Sequence, residues 1–267
     1  MNMLSRAFKF PMQLVITAIW EIQSYTLLSC RAIANLFTRP IYWREMVLQM
    51  DHMGVGSLII VTLTGFFTGA VLAIQSEGAL RTYGAVSMTG QLVSLTLVRE
   101  LGPVLSALML AGRIGSGIAS ELGSMVVSDQ IDAMRALGTD PTRRLVTPRM
   151  VALMVTLPLL TVFCDAVGML GGWIIAYYKL LISSNQFWSD AFHAIQFSDF
   201  VGTIVKPLVF GFIIAMTSCH VGLRTYGGTE GVGRATTQAV VSSSILVIAA
   251  DFMLNNLLIY LAPTLNA

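Results

Sequence analysis

Five stretches of this chain are long and apolar enough to cross a bilayer, and that constrains its fold more than any other feature. Gly54 to Ile74, Ser87 to Gly112, Met150 to Tyr178, Phe200 to Leu223 and Thr237 to Ala262 each supply the roughly 20 mostly apolar residues that a spanning helix needs. Hydrocarbon offers the backbone no water, so each stretch must satisfy its hydrogen bonds internally as a helix. The polar and apolar alternation of outer-membrane barrel strands is absent. Composition agrees: 11% of the 267 residues are charged, against about 25% in soluble domains, and mean hydropathy is +0.75. A soluble globule, a disordered chain, a collagen and a disulfide scaffold are all excluded. The three cysteines, Cys30, Cys164 and Cys219, are scattered and read as packing residues.

Basic residues set the expected orientation. Arg6, Lys9, Arg31, Arg39 and Arg44 precede the first span, Arg113, Arg135, Arg143, Arg144 and Arg149 lie between the second and third, and Arg224 and Arg234 between the fourth and fifth. Only Arg81 and Lys179 fall on the other side. The positive-inside rule therefore predicts a cytoplasmic amino terminus and an external carboxyl terminus. Residues 12–37 are apolar but carry Gln13, Glu21, Gln23 and Arg31. They read as a helix in the cytoplasmic interface with Trp20 and Tyr25 as belt residues, since a sixth span would put Arg6 and Lys9 outside. Pro40 then makes an elbow. No cleavable signal peptide is expected, because Glu21 interrupts the first apolar stretch and no small-residue cleavage site follows. Residues 1–50 thus form an interfacial helix and elbow, and residues 51–267 the five-span unit.

The first span is free of charge, whereas the others hold Arg99 and Glu100, Asp165, Lys206 and Asp251. Each charge costs about 2.5 to 3.5 kcal/mol at a span centre, so each should face protein or a wet cavity. Internal ion pairing is the expectation for Asp165 and Asp251. A ligand is the expectation for Arg99, Glu100 and Lys206, because helix breakers adjoin them. Pro103 cannot donate to the carbonyl of residue 99, Gly102 weakens the same turn, and Pro207 frees the carbonyl of residue 203. Broken helices beside buried charge point to a transported ligand. Gly65 and Gly69 form a GxxxG compatible with a dimer seam, and Gly112, Ser116 and Ser120 repeat its four-residue spacing.

Between the second and third spans the sequence predicts a short helix, with Ser128 as N-cap, Asp129 and Asp132 in the first turn, Arg135 near the end and Gly138 at C′. Ile131, Met134 and Leu137 form an apolar stripe on a helix too short to stand alone. It either lies on the membrane or couples to a partner protein. The chain has no GxxxxGK[ST], and the glycines Gly227, Gly228, Gly231 and Gly233 lack the Lys-Ser/Thr that would cradle phosphate. ATP, if used, is hydrolysed by another chain. His52, His193 and His220 do not cluster at metal-ligand spacing.

The run Leu97-Val-Arg-Glu-Leu-Gly-Pro-Val-Leu, continued by Ala111-Gly-Arg-Ile-Gly-Ser, Ser120-Glu-Leu-Gly-Ser-Met, Asp129-Gln-Ile-Asp-Ala-Met and Leu137-Gly-Thr-Asp-Pro, resembles the MlaE/YrbE permease family. Thr147-Pro-Arg and Gly233-Arg-Ala-Thr-Thr-Gln-Ala-Val-Val fit the same pattern, which extends from about Gly54 to the carboxyl end. The resemblance implies the permease subunit of an ABC transporter that moves phospholipid between the bacterial inner and outer membranes. It implies a homodimer in the inner membrane, two cytoplasmic ATPase subunits that bind ATP and Mg, often joined by a STAS-domain protein, and a periplasmic hexamer of MCE-domain proteins. No cofactor in this chain and no nucleic-acid partner is implied. Lipid-cavity residues carry over to Arg99, Glu100, Tyr83 and Lys206, with apolar walls near Leu72 and Leu80. The anionic headgroup is expected to meet Arg99 or Lys206, and the coupling helix maps onto Ser128 to Leu137.

Two other classes compete. An ion-coupled secondary transporter would use Glu100, Asp165 and Asp251 as proton carriers. An intramembrane serine protease would use Ser116, between Gly115 and Gly117, with His193 or His220 as base.

Overall fold

A computed structural model of the chain describes residues 3–38, 40 and 42–265. The side chains of Arg6, Lys9 and Gln13, and Arg39 as a whole, lie outside the described residues. Among the described residues eight helices follow in order: α1 (Met3–Ala34), α2 (Trp43–Thr82), α3 (Val86–Val127), α4 (Gln130–Ala136), α5 (Thr142–Tyr178), α6 (Ser184–Ala194), α7 (Phe197–Leu223) and α8 (Gly228–Leu265). Among the described residues α2, α3, α5, α7 and most of α8 are long and apolar enough to cross a membrane. The protein is therefore an all-α, multi-pass membrane protein with five spanning helices. The helices outrun the apolar stretches because polar helix formers such as Glu45, Gln49 and Glu77 continue them past the hydrocarbon.

The core lies where α3, α5 and α7 meet, with Leu110 and Leu122, Leu153 and Leu157, and Phe210 and Ile214 fully buried. The GxxxG of α2 is used inside the chain rather than left for a second copy. A Cβ at Gly65 would lie 2.5 Å from the Cys164 carbonyl oxygen, and one at Gly69 would lie 1.8 Å from that of Gly168. In return, Gly171 of α5 faces the Phe66 carbonyl, where a Cβ would sit 2.2 Å away. Small residues on both helices let the two backbones touch.

Neither proline breaks its helix. Leu97 to Leu101 forms a π-helical turn, in which the Gly102 N–H donates to the Leu97 carbonyl five residues back, and α3 then continues through Pro103. Thr142 to Val146 repeats this ahead of Pro148, with the Thr147 N–H donating to Thr142. A wider turn relieves the clash between a proline ring and the preceding turn's carbonyl, which explains the position of both. Pro207 likewise lies inside an uninterrupted α7.

Helix α1 is fastened to the end of the bundle that carries the arginine-rich α3–α5 connection. Glu21 pairs with His220 Nε2 at 3.1 Å and with Arg224, and Tyr25 packs edge-on against His220 at 5.8 Å. The His220 hydrogen bond, opposed by burial and helped by the Arg224 charge, holds the Glu21 carboxyl below its ordinary value. A carboxyl lowered on folding contributes stability above its unfolded value, and that contribution fades as pH falls below it. The attachment of α1 should therefore loosen progressively below about pH 4.5. An environment-sensitive label on the exposed Cys30 of α1 should report this transition, and Glu21→Gln should remove it; a label indifferent to pH in the wild type would refute the clasp.

At the opposite end, α6 is clamped to the bundle. Ser183 caps it by accepting from the Gln186 N–H at 3.4 Å, Ser94 of α3 donates to the Ala191 carbonyl at 3.2 Å, and Trp173 of α5 donates to Ser184 at 3.0 Å. These bonds fix where the chain re-enters the bundle as α7.

Candidate functional site

In the half of the bundle away from the arginine-rich connection, α3, α7 and α8 border a cavity of about 430 Å³. Arg99, Glu100, Gln196, Ser198, Asp199, Lys206 and Asn255 line it, with Gly202 and Leu258. Its polar character follows from the π turn. Once the Gly102 N–H is diverted to Leu97, the Val98 carbonyl loses its usual donor, and Pro103 has no N–H for the Arg99 carbonyl. Helix α7 supplies both replacements: the Thr203 hydroxyl donates to Val98 at 3.0 Å and the Lys206 ammonium to Arg99 at 2.7 Å. The freed carbonyl expected at residue 99 thus receives a cation.

Lys206 is almost wholly enclosed, with 2% of its side chain exposed. Besides the carbonyl it donates to Asn255 Oδ1 at 2.7 Å and to Glu100 Oε1 at 3.3 Å, and it lies 3.2 Å from Asp251 Oδ1. Asn255 closes the loop by donating to Glu100 Oε2 at 2.8 Å. Lys206 thus lines the cavity with its ammonium already bonded to protein oxygens of α3 and α8. Arg99 differs. Its Nε and Nη2 donate side by side to Asp199 at 2.7 and 3.1 Å, yet its side chain remains 47% exposed at the cavity. Asp199 is itself held by the Gln196 N–H at 3.0 Å in a capping box that opens α7.

Asp251 meets the expectation of an internal ion pair, and Asp165 does not. Among the described residues neither Asp165 carboxyl oxygen has a hydrogen-bond partner, although the side chain is buried against Gly102 of the π turn. Among the described residues no ion pair reaches it either. Tyr83, Leu72 and Leu80 stand apart from this cavity. Tyr83 ends α2 and is 83% exposed, Leu72 packs on Ala73, Val93 and Leu97, and Leu80 is half-buried on α2. Asp199 and Asn255, which the sequence reading passed over, belong to the site. Ser116 donates to its own helix at Gly112, and His220 is engaged by Glu21 rather than by Ser116.

The connection between α3 and α5 differs in its details from the expected helix. Ser128 is not the N-cap: it ends α3, its hydroxyl donating to the Ser124 carbonyl at 2.8 Å. Asp129 takes the cap position with φ of 56° and makes no side-chain cap, using the left-handed region that Asp tolerates. Asp132 remains in the first turn, paired with Arg135 at 2.9 Å. Gly138, with φ of 76°, closes the helix as expected, its N–H donating to Arg135 and that of Thr139 to Met134. The stripe splits, because residues three apart drift by about 60° per step. Ile131 is buried against the bundle, Met134 is half-buried and Leu137 is 84% exposed. Beside them Arg149, itself buried, holds Glu121 at 2.7 Å and binds the start of α5 to the end of α3.

Comparison with known proteins gives these features a context. Residues 46–257 match the family described as Permease MlaE. A probable ABC transporter permease protein of Rickettsia felis is 41% identical over 237 residues, covering 89% of this chain and 92% of that one. The Arabidopsis thaliana chloroplast protein TRIGALACTOSYLDIACYLGLYCEROL 1 is 37% identical over 89% of this chain and 68% of its own. The intermembrane phospholipid transport system permease protein MlaE of Haemophilus influenzae is 35% identical over 78% of this chain and 80% of its own. The match over residues 46–257, with relatives 35% to 41% identical across most of the chain, makes this chain a member of the MlaE permease family.

Proposed function

We propose that this protein is the membrane subunit of an ATP-driven transporter that moves phospholipids between the inner and outer membranes of a bacterial envelope. The observation that carries the reading is the cavity at Arg99 and Glu100, where two charged side chains stay accessible within otherwise apolar spanning helices. The Haemophilus influenzae relative, an intermembrane phospholipid transport permease by name, supports the same substrate. Two copies form the membrane unit, with acyl chains running out of the cavity onto apolar surface near Leu72 and Leu80 and past Tyr83. By the positive-inside rule the arginine-rich end and α1 face the cytoplasm, and the cavity lies in the periplasmic half.

Two ATPase subunits, which bind ATP and Mg, dock on α4, with a STAS-domain protein alongside them. A hexamer of MCE-domain proteins receives or delivers the lipid above. Ile131 fixes α4 to the bundle while the opposite side, with Leu137 exposed, offers an anchor for the ATPase. ATP-driven closure transmitted through α4 squeezes the lipid out of the cavity. The test is ATP-dependent transfer of a labelled phospholipid by the assembled complex in vesicles. Leu137→Asp should lower transfer about tenfold, as loss of an interface anchor does. Undiminished transfer would remove α4 from the coupling path, and the absence of any ATP-dependent transfer by the wild-type complex would overturn the proposal.

A further inference from the structure

The charges around the cavity fall into two groups with different accessibility. Lys206, Asp199 and Asp251 have 2%, 7% and 17% of their side chains exposed and are committed to one another's neighbours. Arg99 and Glu100 have 47% and 40% exposed and share the cavity lining. A ligand therefore meets one positive and one negative group, adjacent in the chain and opposite in sign. Arg99 makes its two bonds to Asp199 through Nε and Nη2, which leaves Nη1 as the nitrogen that could donate to a phosphate oxygen. Each Glu100 oxygen has one protein donor, Lys206 or Asn255, and a second lone pair left to accept. The acids also outnumber the bases, with three carboxylates about the two cations. A ligand carrying only negative charge would be drawn to Arg99 but repelled by the equally accessible Glu100.

We propose that the site selects phospholipids whose headgroup carries a primary ammonium beside its phosphate, with the phosphate on Arg99 and the ammonium on Glu100. This rests on the phospholipid reading above and deepens it. A quaternary ammonium fits less well, because it has no N–H to give Glu100. Among the described lining residues there is also no aromatic ring to hold such a group by its face. The discriminating feature is thus a charge-assisted hydrogen bond to one carboxylate.

The test uses the full-length protein in nanodiscs that contain equal amounts of phosphatidylethanolamine, phosphatidylglycerol and phosphatidylcholine with identical acyl chains. Lipid retained on the protein after extraction into detergent is quantified by mass spectrometry. Phosphatidylethanolamine should be enriched about tenfold over the other two, the discrimination one charged hydrogen bond provides. Substituting N-acetylated phosphatidylethanolamine, which has the same size but no ammonium, should abolish the enrichment without altering the protein. Glu100→Gln should bring the three lipids to near parity, and Arg99→Gln should lower all three together. Equal retention of the three by the wild type, or retention of the N-acetylated lipid as strongly as its parent, overturns the headgroup assignment while leaving the transport reading intact. Retention of no phospholipid overturns both.

Discussion

Lys206→Met should destabilise the protein by about 3 to 5 kcal/mol, the range for removing one partner of a buried ion pair. Methionine matches the lysine stem in length and fills the same channel, so the loss isolates the charge. Without the ammonium, Glu100 and Asp251 face each other's field in a low dielectric, and the Arg99 carbonyl freed by Pro103 loses its donor. The same logic gives the rescue. Adding Asp251→Leu to Lys206→Met removes the stranded carboxylate and should recover a substantial part of the loss, because buried pairs replaced on both sides by apolar groups are often neutral. Reversible unfolding in detergent or bicelles measures both variants. Equal stability of Lys206→Met and wild type would show that the ammonium does not hold α3, α7 and α8 together.

Gly69→Val should prevent α2 from seating on α5. The added Cβ would fall 1.8 Å from the Gly168 carbonyl oxygen and 2.6 Å from its carbon, and backbone cannot turn aside as a side chain does. Overpacking against movable side chains costs about 1 to 3 kcal/mol, and this obstacle should exceed that range. Gly78→Ala is the matched control on the same helix: nothing lies within 4 Å of its Cβ position, and alanine favours the helix. The yield of monodisperse protein from membranes should collapse for Gly69→Val and hold for Gly78→Ala. Comparable yields would place the glycine contact elsewhere than between these two helices.

The spans and the charges buried within them were legible because hydropathy and charge in hydrocarbon are coarse, one-dimensional signals. Arg99, Glu100, Lys206 and Asp251 stand out against their apolar neighbours, and Pro103 marks the carbonyl that Lys206 reaches. Asp199 was hidden by position. An acid in the first turn of a helix reads as ordinary capping, which it also performs here with Gln196. Asn255 carries no charge and so raised no flag, although its amide bridges Lys206 and Glu100. The GxxxG was visible, but its partner was not. Gly168 and Gly172 on α5 have the same spacing, and only the packing shows that the two sets of glycines face each other. Ser128 was misplaced by one residue, because an aspartate in left-handed geometry can begin a helix without using its side chain.

The left-handed residues at the two ends of α4 have a mechanical consequence. Asp129 and Gly138 reverse the chain sharply on either side of a rod about 10 Å long. Neither end merges smoothly into α3 or α5, so the rod has no continuous helix through which to bend. Under the coupling role proposed above, a push on Leu137 would therefore tilt the rod as one unit about the buried Ile131 rather than bend it.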